Sequence, residues 1–215
     1  MILVTGGIKG GSGKTTLATN LAVMRARKGH EVLLVDADDQ QSSAEFTELR
    51  SEEMDDPGYT CIRLDGKAVR DQVQRLQSKH DEVIIDTGGR DTTSQRAALT
   101  VADVLIVPFG PRSLDIWTLE RVEALVADAR AINPELRAYS FINRADHQGS
   151  YNDETREVLT DSEQVEFISP TLGDRKAFAV AFDYGQSVVE YTPRDKKARN
   201  EMKRLHDAVF ETVPK

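Results

Sequence analysis

Apolar and polar positions fall into alternating blocks along this chain. Five short runs rich in Val and Ile end in turn residues: ILVTG (2–6), EVLLVDAD (31–38), EVIIDTGG (82–89), DVLIVPFG (103–110) and LRAYSFINR (136–144). Apolar runs of this length with such ends predict buried strands. Helical periodicity fills the gaps. KTTLATNLAVMRARKG sets Leu17, Leu21 and Met24 on one face and stops at Gly29. GKAVRDQVQRLQSKH and SLDIWTLERVEALVADARAINP repeat the pattern, the second stopping before Pro134. Near the end, DRKAFAVAFDYG (174–185) and DKKARNEMKRLHDAVFE (195–211) predict two helices joined by a connection containing Pro193. SSAEFTELRSEEMDDPGY (42–59) is acidic and weakly periodic, and reads as a short helix followed by a surface loop.

Strands alternating with helices imply right-handed βαβ units. The predicted fold class is α/β: a mostly parallel twisted sheet with helices on both faces, one domain over residues 1–215. Ligands of such sheets sit beyond the carboxyl ends of the strands. The polar motifs fall there.

Composition changes the picture in three ways. A net charge of −8, with 39% hydrophobic and 30% charged residues, fits a soluble globular protein and not one coated in basic charge. No run approaches the ~18–20 apolar residues of a membrane span, and MILVTGGIKGG lacks the basic start of a signal peptide. Cys61 is the sole cysteine and the four histidines are scattered, which argues against disulfides, zinc and iron–sulfur clusters. A cytoplasmic location is expected. The charge is also uneven. Residues 193–215 carry seven Lys/Arg against four acids, so a basic end sits on a body near −11. Such an end can contact a polyanion or can be a solvated helix face.

The strongest chemical signal is KGGSGKTT (9–16), between the first strand and the first helix. Gly10, Gly11 and Gly13 let backbone N–H groups turn around phosphate oxygens, with Ser12 among them. The helix beginning near Lys14 aims its positive end at the same anion. Lys14 is placed to reach β/γ-phosphates, Thr15 to ligate magnesium, and Thr16 to bond a further phosphate oxygen. ATP and Mg2+ are therefore the expected cofactors. The general phosphate-loop pattern wants glycine at position 8, where this chain has Ile8. In LLVDADDQ, Asp36 and Asp38 are two apart and share a side of an extended chain. In EVIIDTGG a strand delivers Asp86 toward magnesium, followed by Thr87, Gly88 and Gly89 as a switch. Arg90 and Asp91 lie within that switch, facing a partner or solvent.

KGGSGKTT resembles the deviant Walker A box of the ParA/MinD family of ATPases, and the chain is most similar to its small ParA-type (ParF-like) plasmid partition members. The resemblance covers residue 2 to about 190. It implies a P-loop NTPase fold in which Lys9 is the signature lysine, reaching across a nucleotide-sandwich homodimer to the partner's phosphates. It implies that Asp36 serves the magnesium shell together with Thr15 and Asp86, and that Asp38 serves the attacking water. Asp39 stands where the family has proline, which leaves the path of Gln40 open. Asn143, at a strand end, is implied to read the adenine, and SPTLGD, with Pro170 and Thr171, to pass along the base. VPFGPRSLD, with Pro108 and Pro111 flanking a loop, resembles a segment near the dimer interface. Trp117 reads as core or interface.

The family implies nonspecific DNA binding by ATP dimers, nucleoid association, and hydrolysis stimulated by a cargo-bound adaptor. Because the chain starts at its first strand, no operator-reading domain is expected. Arg175, Lys176, Arg194, Lys196, Lys197, Arg199, Lys203 and Arg204 are the candidate phosphate contacts. Two other readings stay open. One is a MinD-like membrane-cycling ATPase, which needs a C-terminal amphipathic anchor; Met202, Leu205 and Val209, with Ala198 and Val213, make only a narrow stripe without an aromatic–basic cluster. The other is a metabolic P-loop ligase of dethiobiotin-synthetase type, for which no acceptor pocket is legible.

Overall fold

The computed structural model describes residues 1–111, 118–148 and 150–212. Seven strands form one sheet: β1 Ile2–Thr5, β2 Val32–Ala37, β3 Thr60–Arg63, β4 Glu82–Thr87, β5 Val104–Phe109, β6 Arg137–Ile142 and β7 Glu166–Phe167. Their order is β3-β2-β4-β1-β5-β6-β7, and every pair is parallel. The helices are α1 Lys14–Ala26, α2 Ser42–Met54, α3 Ala68–Leu76, α4 Thr93–Leu99, α5 Leu119–Arg130, α6 Tyr151–Thr160, α7 Lys176–Asp183 and α8 Lys196–Asp207.

The core lies in two clusters, one on each face of the sheet. Alternate strand residues feed opposite faces: Val83 and Ile85 pack with Val69, Leu99 and Leu125, while Ile84 packs with Leu17, Leu21 and Phe46. Parallel strands buried on both faces need continuous apolar runs. That is why the five central strands were readable. β3 and β7 are edge strands, half exposed and short, and carry no such run.

The acidic stretch after β2 is a helix followed by a loop, as expected. It forms a 13-residue helix, α2, whose inward side includes Ser43, Phe46, Thr47 and Arg50. The spacing is helical but mostly polar, so apolar periodicity marks it only weakly. Arg50 is buried because it donates to the carbonyls of Pro57 and Gly185 and pairs with Glu190. Helices α4 and α6 went unread in the sequence. Pro108 lies inside β5, not in the loop after it, opposite Phe141 of β6. Ile106 faces β1, where its carbonyl accepts from Gly6 N–H. Two residues on, the nitrogen of Pro108 points to the same side, beyond the β1 ladder, so its missing N–H breaks nothing. Trp117 and the first residues of its predicted helix lie outside the described residues, as does Val213.

The C-terminal stripe does dock on its own domain. Ala198, Met202, Leu205 and Val209 are fully or almost fully buried against the α1 face. An apolar face spent on the core is not available to lipid, and among the described residues no helix is long and apolar enough to cross a membrane.

Candidate functional site

Register brings the carboxylates together. Thr5 of β1 and Asp36 of β2 both lie opposite Asp86 of β4, so three strand ends converge beside the phosphate loop. Asp86 is fully buried. Its Oδ1 accepts from the Thr5 hydroxyl at 3.2 Å and its Oδ2 from the Ser43 hydroxyl at 2.7 Å, and the Thr15 side chain nearby favours its charged form. Burial, opposed by these hydroxyls and reinforced by Asp36, pushes Asp86 up to about 7. Burial likewise raises Asp36, although it accepts from the Ala44 N–H at 2.8 Å and the Asp38 N–H at 3.1 Å. Two desolvated carboxylates ringed by hydroxyls form a hard oxygen donor set, which suits magnesium.

This has a measurable sign. Between pH ~4 and ~7 the native state holds a proton on Asp86 that an unfolded chain has lost. The apo protein therefore loses stability as pH rises through that window. Asp86→Asn should melt roughly 5 °C above the parent at pH 8, and this gap should narrow as pH falls and close only near pH ~4. A gap independent of pH would show that Asp86 does not titrate there.

The phosphate loop follows β1. Gly13 has φ 96° and precedes the first residue of α1; a Cβ there would lie 2.3 Å from Asn143 Nδ2. Only glycine fits that corner. Lys14 is buried and its ammonium donates to the Lys9 carbonyl at 2.9 Å. Desolvation lowers its pKa, and the negative charges of Asp86 and Asp38 resist that. The switch presses directly on this loop: a Cβ on Gly89 would come within 2.5 Å of Gly10 N and Cα.

A cleft of about 1110 Å3 opens at this end of the sheet. It is lined by Gly10, Gly11, Gly13, Lys14, Thr15 and Thr16, by Asp38 with Gly88, Gly89 and Arg90, and by Asn143. Leu17, Leu172, Phe178, Ala179 and Met202 give part of it an apolar wall. Gln40 resolves plainly: its N–H bonds Asp38 Oδ1 at 3.2 Å, Gln41 takes a left-handed φ of 57°, and α2 begins.

Some predicted residues sit elsewhere. Lys9 and Ser12 line a small crevice of about 10 Å3 with Pro108 and Phe109. Pro170 and Thr171 line an adjoining recess of about 670 Å3, while the cleft wall proper is 172–176. Asn143 Nδ2 donates to the Ser12 carbonyl at 2.6 Å, so its amide holds the phosphate loop. Of the eight basic candidates, Lys176, Arg194, Lys196, Lys197, Lys203 and Arg204 are exposed. Arg175 is instead paired with Glu201, and Arg199 is half-buried.

Three contributors were missed in the sequence. Ser43 steadies Asp86. Arg144, at φ 55°, donates to the Gly11 carbonyl at 3.0 Å. Gln95, fully buried on α4, accepts from Gly7 N–H at 3.0 Å and from the Thr87 hydroxyl at 2.8 Å. One side chain thus ties the phosphate loop to the switch. None of the three lies in a recognisable motif, so no sequence signal pointed to them. The structure also brings His206 near Asp207 and Glu211, but the Lys28 ammonium already lies within 3.9 Å of both carboxylates.

A parallel sheet carrying a phosphate loop, a buried strand-end aspartate and a glycine switch defines a P-loop nucleotide-binding protein. Residues 2–188 match the model of the CobQ/CobB/MinD/ParA nucleotide binding domain, and the chain belongs to that family. Its ParA and MinD members are ATPases. The chain is 27% identical over 211 residues to the maintenance of carboxysome distribution protein A of Halothiobacillus neapolitanus, covering 97% of this chain and 95% of that one. It is 23% identical over 188 residues to a ParA protein of Rhizobium radiobacter, covering 86% and 83%. An ATP complex of a Cyanothece McdA variant shares the fold, with TM-score 0.79, 17% identity and coverage of 97% and 95%. The chain is thus a nucleotide-binding protein of the family that holds the ParA and MinD ATPases.

Proposed function

We propose that this protein is an ATP-driven positioning ATPase that forms a nucleotide-sandwich homodimer, binds DNA without sequence preference, and hydrolyses ATP when a cargo-bound adaptor stimulates it. The observation that carries the reading is the loop KGGSGKTT itself. It brings Lys9 and Lys14 into one loop, is abutted by the Gly89 switch, and faces Asp38 across the cleft.

In this reading Lys14 neutralises the β/γ-phosphates, and the α1 N-terminus adds its dipole. Thr15, Asp36 and Asp86 hold magnesium, directly or through water; the ion supplies charge neutralisation at the phosphates when bound. Asp38 orients the attacking water, and Lys9 supplies positive charge to the partner's nucleotide. The six exposed basic residues on α7, α8 and the turn before α8 give a phosphate-binding surface, doubled in a dimer.

The cargo is a plasmid or a comparable large body. Relatives include both a ParA protein and a carboxysome distribution protein. The test is ATP turnover with and without nonspecific duplex DNA, across a salt series. Salt-sensitive DNA binding that requires ATP is expected. A protein indifferent to DNA and activated by a small organic acid would be a ligase instead.

A further inference from the structure

The loop that closes the cleft opposite the phosphate loop is held from two sides. On the inner side its backbone extends the sheet: Leu172 N–H bonds the Ile142 carbonyl at 3.0 Å, and Ala145 N–H bonds the Leu172 carbonyl at 2.9 Å. Arg144 lies 3.7 Å from Asp174 and also bonds Gly11 of the phosphate loop. On the outer side the loop meets helix α8. Glu201 takes the Arg175 guanidinium in a two-pronged pair, Nε to Oε2 at 2.8 Å and Nη2 to Oε1 at 2.5 Å. Its Oε2 also accepts from the Gly173 N–H at 3.1 Å. Both side chains are mostly buried, 14% and 20% exposed.

Arg175 lines both the cleft and the recess beside it, so it is the partition between them. The residue after Glu201 is Met202, which is fully buried and lines the cleft. Helix α8 therefore reaches the cleft twice, through an apolar side chain and through a carboxylate clasp. The apolar lining of Leu172, Phe178 and Met202 lies at this end, which suits a base rather than phosphates. Glu201 is also an acid in a helix that is otherwise rich in exposed Lys and Arg. A helix selected only for positive charge would gain nothing from it.

We propose that Glu201 is a positioning residue for nucleotide: from α8 it fixes Arg175 and the Gly173 backbone, and so sets the base-side wall of the cleft. This rests on the reading of the cleft as an ATP site. A bidentate guanidinium–carboxylate pair gives a defined geometry that a single surface charge does not. By reciprocity, a ligand on α8 that changes nucleotide affinity by some factor has its own affinity changed by nucleotide by the same factor.

Titration calorimetry with Mg-ATP tests it on the full chain. Glu201→Gln should weaken ATP binding about tenfold, as expected for loss of a charge-assisted contact. Arg175→Gln should do the same, and the double variant should lose no more than either one. Asn200→Ala, an exposed neighbour on α8, should bind as the parent does. Melting temperatures are measured in parallel, since a loss of affinity without a loss of fold is the expected signature. Glu201→Gln binding within twofold of the parent, or additive losses in the double variant, would overturn the clasp. A parent protein that binds no ATP would instead overturn the reading of the cleft.

Discussion

Asp38→Ala should hydrolyse ATP at least about 100-fold more slowly than the parent while still binding it, and should accumulate as an ATP-bound dimer. The magnitude follows from the range measured for positioned acid–base groups. The physical case rests on position. Asp38 lies one residue past β2, lines the cleft, and is close enough to Lys14 for their charges to interact. Its Oδ1 accepts the Gln40 N–H, which orients the carboxylate without burying it. A Cβ on Gly88 would come 3.0 Å from that oxygen, so the switch and Asp38 are in near contact. Phosphate release and light scattering with ATP are the measurements. Unchanged turnover would remove Asp38 from the chemistry. Loss of ATP binding would make it a structural residue.

The second large effect is expected at Lys9. Lys9→Ala should leave ATP affinity within about threefold of the parent yet abolish ATP-dependent dimers. The structure explains why the two properties can separate. Lys14 is anchored by the backbone carbonyl of residue 9, not by its side chain. Alanine keeps that carbonyl, so the loop and the Lys14 ammonium stay in place. What is lost is a cation beside a triphosphate, where an opposite charge has its greatest value. Scattering that still shows dimers with ATP would refute the cross-subunit role.

These two residues stand out in the sequence because the pattern that holds them is local. A phosphate loop needs particular residue types at consecutive positions, and β2 needs an apolar run before its acidic end. Asn143 was half legible. Its place at a strand end puts it in the cleft, but its amide is committed to the Ser12 carbonyl, a partner 131 residues away. Arg175 was legible as a charge and not as a pair. In the sequence it belongs with the basic residues of the C-terminal region; in space Glu201 takes it out of that set. Helix α2 was only weakly marked because its buried side carries Ser43, Thr47 and Arg50. Burial of polar residues becomes favourable only once their partners Asp86, Tyr59 and Glu190 are in place.

The sequence by itself determined the parallel sheet, the order of its central elements along the chain, the phosphate loop and the carboxylates at the strand ends. Each depends on residues near one another along the chain, where apolar runs and backbone stereochemistry act directly. The tertiary structure alone decided what those parts touch. It set Asp36 and Asp86 side by side by strand register, joined the phosphate loop to the switch through Gln95, and turned the apolar stripe of α8 inward. It also placed Glu201 behind the cleft wall, against the Arg175 guanidinium and the Gly173 N–H. Such contacts form between distant segments only after the sheet has assembled, so no local pattern of residues encodes them.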